Sequence, residues 1–140
     1  MPNTERVLVL VKPDGVERGL VGQVIARAEA RGYRIARLEL RCATPELLAE
    51  HYAEHAAKPF YPALVEYMTS GPVVALVLEG AQVIAAFRAM AGATDPVKAQ
   101  PGTIRGDFGR DWGTGEIMNI VHASDSPASA AREIAIWFPA

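Results

Sequence analysis

The run Val7-Leu8-Val9-Leu10-Val11 constrains this chain more than any other feature. It is short, wholly apolar and largely β-branched, and Pro13-Asp14-Gly15 closes it, which predicts a buried strand followed by a turn. Val73 to Leu78 predicts another apolar strand, and Asn119 to His122 a short one. Ile35, Leu38 and Leu40, set among Arg34, Arg37, Glu39 and Arg41, predict a strand with one solvated face. Between these runs the period changes. Val21, Val24, Ile25 and Ala28 recur at helical spacing over Val21–Ala30, with Gly32 placed for a left-handed stop. Thr44-Pro45 offers a cap and a first-turn proline for a helix running towards His55.

Further helices are predicted from Tyr61 to Met68 and from Val83 to Met90, with Ser70-Gly71-Pro72 as a turn between them. Ser126-Pro127 opens a last helix, with Ala130, Ala131, Ile134 and Ala135 on its buried side. The glycine-rich stretch from Gly92 to Gly115 is a long loop, and a loop of that length in a small domain is usually functional or disordered. Strands and helices alternate, which suggests a parallel doubly wound sheet. Four short strands also fit a split β-α-β sandwich with helices on one face. Periodicity leaves both open.

With 140 residues and no repeat or linker, the chain is read as a single domain, 1–140, large enough to bury a core without staples. No apolar run approaches the roughly 18 residues that span a bilayer, and the first residues lack the zones of a signal peptide. Cys42 is the lone cysteine, so no internal disulfide can form, which fits a reducing cytoplasm. A net charge of −2 argues against broad nucleic-acid binding. Any anion site must therefore be built from a few convergent basic residues.

No G-x-x-x-x-G-K-[ST] loop, G-x-G-x-x-G turn, G-x-S-x-G elbow or H-E-x-x-H helix occurs. His122 is the leading candidate for chemistry. It ends a predicted strand before the polar turn Ala123-Ser124-Asp125-Ser126, and a neutral imidazole is a nucleophile near pH 7. Glu133, about two turns into the next helix, can reach back to select the ring's tautomer. Position alone also fits a histidine that merely satisfies a turn. His51 and His55 have the spacing of a metal pair but no third ligand nearby, so they are read as a solvated helix face. Lys12, Arg88 and Arg105 stand out as cations in apolar or glycine-rich contexts, suited to a polyphosphate, although each alone also fits a surface residue. Phe60 suits either a nucleobase or the core.

Together these residues say more. Asn119-Ile120-Val121-His122-Ala123-Ser124-Asp125-Ser126 resembles the active-site signature of the nucleoside diphosphate kinase family. Val11-Lys12-Pro13-Asp14-Gly15-Val16, His51-Tyr52 with Lys58-Pro59-Phe60, and Thr69-Ser70-Gly71-Pro72-Val73 resemble further motifs of that family. So do Gly92-Ala93-Thr94-Asp95-Pro96 and Pro101-Gly102-Thr103-Ile104-Arg105-Gly106-Asp107-Phe108. The resemblance implies an α+β, ferredoxin-like sandwich with a four-stranded antiparallel sheet and helices packed on it. It implies ping-pong transfer of a γ-phosphate between nucleoside tri- and diphosphates, with broad base specificity, through a phosphorylated His122. By the same resemblance Lys12, Tyr52, Arg88, Thr94, Arg105 and Asn119 contact phosphates, Lys12 and Asn119 also touch the ribose, and Phe60 stacks on the base. Ser124 and Glu133 orient the ring. Mg2+ would ride on the nucleotide without a dedicated protein cage, and a homo-oligomer, tetramer or hexamer, is implied.

This chain departs from the family's pattern in two places. Lys58 stands where many members have arginine, and the 109–118 segment is longer than usual, with Trp112 suited either to the base or to packing against a neighbour. An idle member acting as a scaffold is the competing reading; the intact set of His122, Lys12, Arg105, Asn119 and Glu133 weighs against it.

Overall fold

The computed structural model describes residues 4–115 and 118–139. The sheet is built from β1 (Thr4–Val11), β2 (Arg34–Arg41), β3 (Val73–Ala81) and β4 (Val121–Ala123), in the order β2-β3-β1-β4. Every pairing is antiparallel. The parallel alternative is thereby excluded. The described helices are α1 (Pro13–Glu17), α2 (Val21–Ala30), α3 (Pro45–His51), α4 (Tyr61–Met68), α5 (Val83–Ala91), α6 (Ile104–Phe108) and α7 (Pro127–Trp137), with a 3-10 turn at Ala53–His55.

The two central strands are unbroken apolar runs because both of their faces are covered. Val7, Val9 and Val11 face Val24, Ala28, Val83, Ile84 and Phe87, whereas Leu8 and Leu10 face Leu48, Met68, Trp137 and Phe138. Helices therefore lie on both sides of the sheet and not on one. Strand β2 is an outer strand, as β4 is at the opposite edge, and a register shift between Ile35 and Arg37 breaks its alternation. It leaves Leu38 54% and Leu40 64% exposed, so the two leucines expected to pack are in solvent.

Two local expectations change. Pro13-Asp14-Gly15 does not form a simple turn; it opens α1, with proline in the first helical turn and Asp14 and Gly15 buried. In α7 the buried residues are Ala130, Glu133 and Trp137, while Ala131 and Ala135 face solvent. The inward stripe thus runs through a carboxylate that sequence periodicity did not place there. Ser126 caps this helix by accepting the Ser129 N–H at 3.1 Å, an interaction worth about 1 kcal/mol. Inside the long glycine-rich stretch, Thr103 does the same for α6 by accepting from Gly106.

Candidate active site

Antiparallel pairing brings the ends of the chain's first and last strands together. Leu10 pairs with His122 and Val11 with Val121, so His122 shares a sheet face with Leu10, the face covered by α7. Its Nε2 lies 2.7 Å from Glu133 Oε1, and Ser124 Oγ donates to the same oxygen at 2.8 Å. Ser124 is itself fixed, its Oγ accepting from the Leu8 N–H at 3.0 Å. A carboxylate oxygen can only accept, so His122 carries its proton on Nε2 and keeps a lone pair on Nδ1. Burial lowers the ring's pKa below its ordinary value of 6.5, Glu133 opposes that shift, and Lys12 and Arg105 add to it. The imidazole is neutral near pH 7.

The backbone just before His122 is unusual. Ile120 has φ of +73°, and the Val121 N–H reaches back to the Asn119 carbonyl at 2.7 Å, closing a three-residue turn. A β-branched residue in this region costs on the order of 1–3 kcal/mol and persists only where its surroundings over-determine it. Here they do. The Ile120 carbonyl accepts from Lys12 N–H at 2.7 Å, and the Ile120 N–H donates to Asp14 Oδ2 at 3.1 Å. Gly15 is required for this approach: a Cβ there would meet Ile120 Cγ2 at 3.0 Å and Val11 Cγ1 at 2.8 Å.

Cations gather around the turn. Lys12 Nζ donates to Asn119 Oδ1 at 2.8 Å, and the Asn119 amide donates to the Thr94 carbonyl at 3.1 Å. Burial lowers the Lys12 pKa to about 8, with Arg105 lowering it further and Asp14 opposing. Arg105 donates through Nε, Nη1 and Nη2 to the carbonyls of Asn119, Gly92 and Val121. Burial, and then Arg88, lower its pKa to about 10, which leaves it charged. Arg88 donates to the Ala123 carbonyl at 3.1 Å. Lys12, Tyr52, Arg88, Thr94, Arg105, Asn119, His122 and Glu133 all line one cavity of about 250 Å³. A neutral nucleophilic nitrogen, oriented by a carboxylate and fronting three cations, suits attack on an anionic phosphorus centre.

The family model for nucleoside diphosphate kinase matches residues 5–140. The chain belongs to the nucleoside diphosphate kinase family. A nucleoside diphosphate kinase from Nocardia farcinica is 63% identical over 137 residues, covering 97% of this chain and 96% of that one. One from Rhodococcus erythropolis is 62% identical over 138 residues, covering 98% and 96%. Among solved structures, a halophilic nucleoside diphosphate kinase from Halobacterium salinarum in complex with CDP is similar at TM-score 0.91 and 46% identity, covering 97% of this chain and 88% of that one. This chain is accordingly a phosphotransferase with that family's α+β fold.

Not every residue singled out from sequence in this nucleoside diphosphate kinase falls on the cavity wall. Ser124 lies fully buried behind it, touching Glu133. Phe60 stands 51% exposed where α4 begins, 5.6 Å from the His55 ring, with Lys58 Nζ 5.8 Å from its own ring. Trp112 is drawn to Arg18 and Arg110, whose guanidinium carbons lie 5.2 and 4.7 Å from its ring, and it is not a cavity residue. Of the 109–118 segment, residues 116 and 117 lie outside the described residues.

His51 was misread. It is buried, not solvated, and its ring meets His122 edge-on with centroids 4.6 Å apart. Trp137 Nε1 donates to His51 Nδ1 at 3.0 Å. An indole can only donate, so the neutral His51 holds its proton on Nε2. Burial, followed by the nearby His122, Arg132 and Lys12, lowers its pKa to about 2. His51, His122 and Glu133 cluster tightly enough to suggest a metal centre, their ligand atoms within 4.8 Å of one another. However, one nitrogen of His51 is occupied by the indole and the other is protonated, and two imidazoles are poor ligands for a hard cation such as Mg2+. His55 and Arg132 also line the cavity and were not singled out for it from sequence, because nothing local marks them.

Proposed function

We propose that the chain, as one kinase domain over 1–140, moves a γ-phosphate from a nucleoside triphosphate to a nucleoside diphosphate in two half-reactions through His122. The Nδ1 lone pair attacks the γ-phosphorus, a nitrogen–phosphorus bond forms, and the bond to the β,γ-bridging oxygen breaks. That oxygen keeps the electron pair and departs with the diphosphate. The Nε2 proton stays on the ring, and Glu133, its hydrogen-bond partner at 2.7 Å, balances the positive charge the ring acquires. A second diphosphate reverses the step, its terminal oxygen taking the phosphoryl group from Nδ1. Little covalent help is needed beyond alignment and charge stabilisation, and Lys12, Arg88 and Arg105 are placed to supply the latter. Tyr52, Thr94 and Asn119 complete the phosphate contacts, with Lys12 and Asn119 also meeting the ribose.

The observation that carries this reading is the His122–Glu133 pair set in a cavity lined by those cations. Mg2+ carried by the nucleotide's phosphates would neutralise part of their charge; the cluster of His51, His122 and Glu133 suits a hard cation poorly as a site of its own. Phe60 stacks on one face of the base and reads no base edge, so discrimination among bases is weak; the Halobacterium relative's complex with CDP is consistent with this. The exposed Leu38 and Leu40 on outer strand β2 support a homo-oligomer, tetramer or hexamer. A single free cysteine supports a cytoplasmic location. No described helix is long and apolar enough to cross a membrane.

The test is direct. Incubation with γ-labelled ATP and Mg2+ should leave an acid-labile, base-stable phosphate on the folded protein; a folded protein that takes up none rejects the proposal. Glu133→Gln should slow that transfer by about 10- to 100-fold while nucleotide binding persists. Its amide oxygen can still accept from both Ser124 and His122, which share Oε1, but it carries no charge to balance the one the ring acquires. Equal rates in both proteins would remove Glu133 from the chemistry.

Proton balance shapes the pH profile. The reactive imidazole is neutral above a pKa below 6.5, and Lys12 is charged below about 8. The profile of kcat/KM, which reports the free enzyme, should therefore fall on the acid side below that of a free imidazole and on the alkaline side near pH 8. Lys12→Arg should move the alkaline limb upward. A profile flat through about pH 9 would show that the charge on Lys12 does not matter.

A further inference from the structure

One buried carboxylate has no part in the chemistry above. Asp14 is 8% exposed, lies in α1, and receives two donors from distant parts of the chain. Its Oδ2 accepts the N–H of Ile120, and its Oδ1 accepts the Tyr67 hydroxyl. Tyr67 is the penultimate residue of α4, the helix that starts just after Phe60. One side chain thus joins three elements: the helix behind Phe60, α1 itself, and the left-handed turn that leads into His122.

The geometry points to Asp14 and Tyr67 as positioning residues for phosphoryl transfer, acting through the Ile120 turn to place Asn119 and His122. Ile120 is fully buried and held at φ of +73°, a conformation its side chain opposes. It persists because its carbonyl is held by Lys12 N–H and its N–H by Asp14. Of those two restraints, the first is backbone and present in any variant. The second depends on where the Asp14 carboxylate points, and Tyr67 sets that. The phenol keeps its proton, its pKa raised by burial and then by Asp14, so it remains a donor throughout the neutral range. Lys12 and Asn119 flank the turn and are joined at 2.8 Å, so a shift of Ile120 moves a phosphate-binding cation together with the nucleophile. Displacement of reacting groups by about 1 Å can cost a hundredfold in rate.

This inference rests on the transfer reading of His122, and the experiment separates the two. Tyr67→Phe removes one oxygen and keeps the ring. It should lower kcat about tenfold with KM changed less than about twofold, and should slow single-turnover phosphorylation of His122 equally. Asp14→Ala should do at least as much. Asp14→Asn should stay within about threefold of wild type, because its Oδ1 can still accept from Ile120 while Nδ2 donates to the phenol oxygen. That conservative variant separates positioning from any effect of the Asp14 charge on Lys12. Melting curves taken alongside confirm that each protein is folded at the assay temperature. The inference is overturned if Tyr67→Phe melts earlier yet keeps both constants, if only KM moves, or if Asp14→Asn is as slow as Asp14→Ala. If His122 in the wild type takes no label, the transfer reading fails first; if it takes label and Tyr67→Phe turns over normally, only the brace fails.

Discussion

His122→Ala is expected to fold, to bind nucleotide within a few-fold of wild type, and to lose transfer activity by at least about 10⁴-fold, the scale seen when a covalent nucleophile is deleted. The expectation rests on three facts. The ring is 20% exposed at the cavity wall, so its removal opens space without emptying the core. The nucleotide contacts assigned to Lys12, Arg88, Arg105 and Asn119 come from other segments and do not depend on the ring. Glu133 keeps its Ser124 partner at 2.8 Å and is not left bare. Isothermal titration with a nucleoside diphosphate, run beside a coupled transfer assay, reads binding and chemistry separately. Activity above a hundredth of wild type would mean direct transfer between nucleotides and would displace His122 from the mechanism.

Arg105→Ala is expected to damage stability and rate together. Its three donor nitrogens satisfy the carbonyls of Asn119, Gly92 and Val121, and two of those residues flank the strained Ile120. Removing the fork leaves three part-buried acceptors without that partner, at a cost of about 3 kcal/mol or more. For a domain of this size that is roughly a 10 °C fall in Tm. Transfer should drop about 10²- to 10³-fold even below the melting range, since the cation proposed to face the migrating group is lost as well. Arg105→Lys keeps the charge and not the fork. It should recover part of the rate but little of the stability, because one ammonium cannot span three carbonyls. Differential scanning calorimetry and kcat for the two variants check this. A lysine variant as stable as wild type would show that the fork is dispensable.

How much of this could be read beforehand differs from residue to residue. Val7–Val11 and Val73–Leu78 announced central strands, because burial on both faces leaves an unbroken apolar run. Their direction was not legible. Hydrophobic period records which side a residue faces, not which strand lies beside it, and only the motif resemblance favoured the antiparallel sheet. Leu38 and Leu40 misled for a related reason: apolar residues in a strand pattern read as packed, while the exposure of these two depends on the strand lying at the sheet's edge, which spacing does not record. His51 misled because its local neighbours, Glu50 and Glu54, look solvated, while the groups that bury it, Trp137 and His122, are far away in sequence. Asp14 sat inside a recognised turn signal, and nothing local reveals that its partners are Tyr67 and Ile120. The gathering of Lys12, Arg88 and Arg105 around His122 was likewise invisible to spacing and came from motif resemblance alone.

Strand order also has a consequence for how the molecule comes into being on a ribosome. β1 leaves the ribosome well before its neighbour β4, so Val11 must wait for Val121. A nascent chain can pair β1 with β3 but must leave the other edge of β1 open until β4 has emerged. Such distant pairings slow folding and leave an unmatched strand exposed meanwhile. The Ile120 turn and the His122 ring therefore take their places only after β4 has joined β1, later than the β1–β3 pairing.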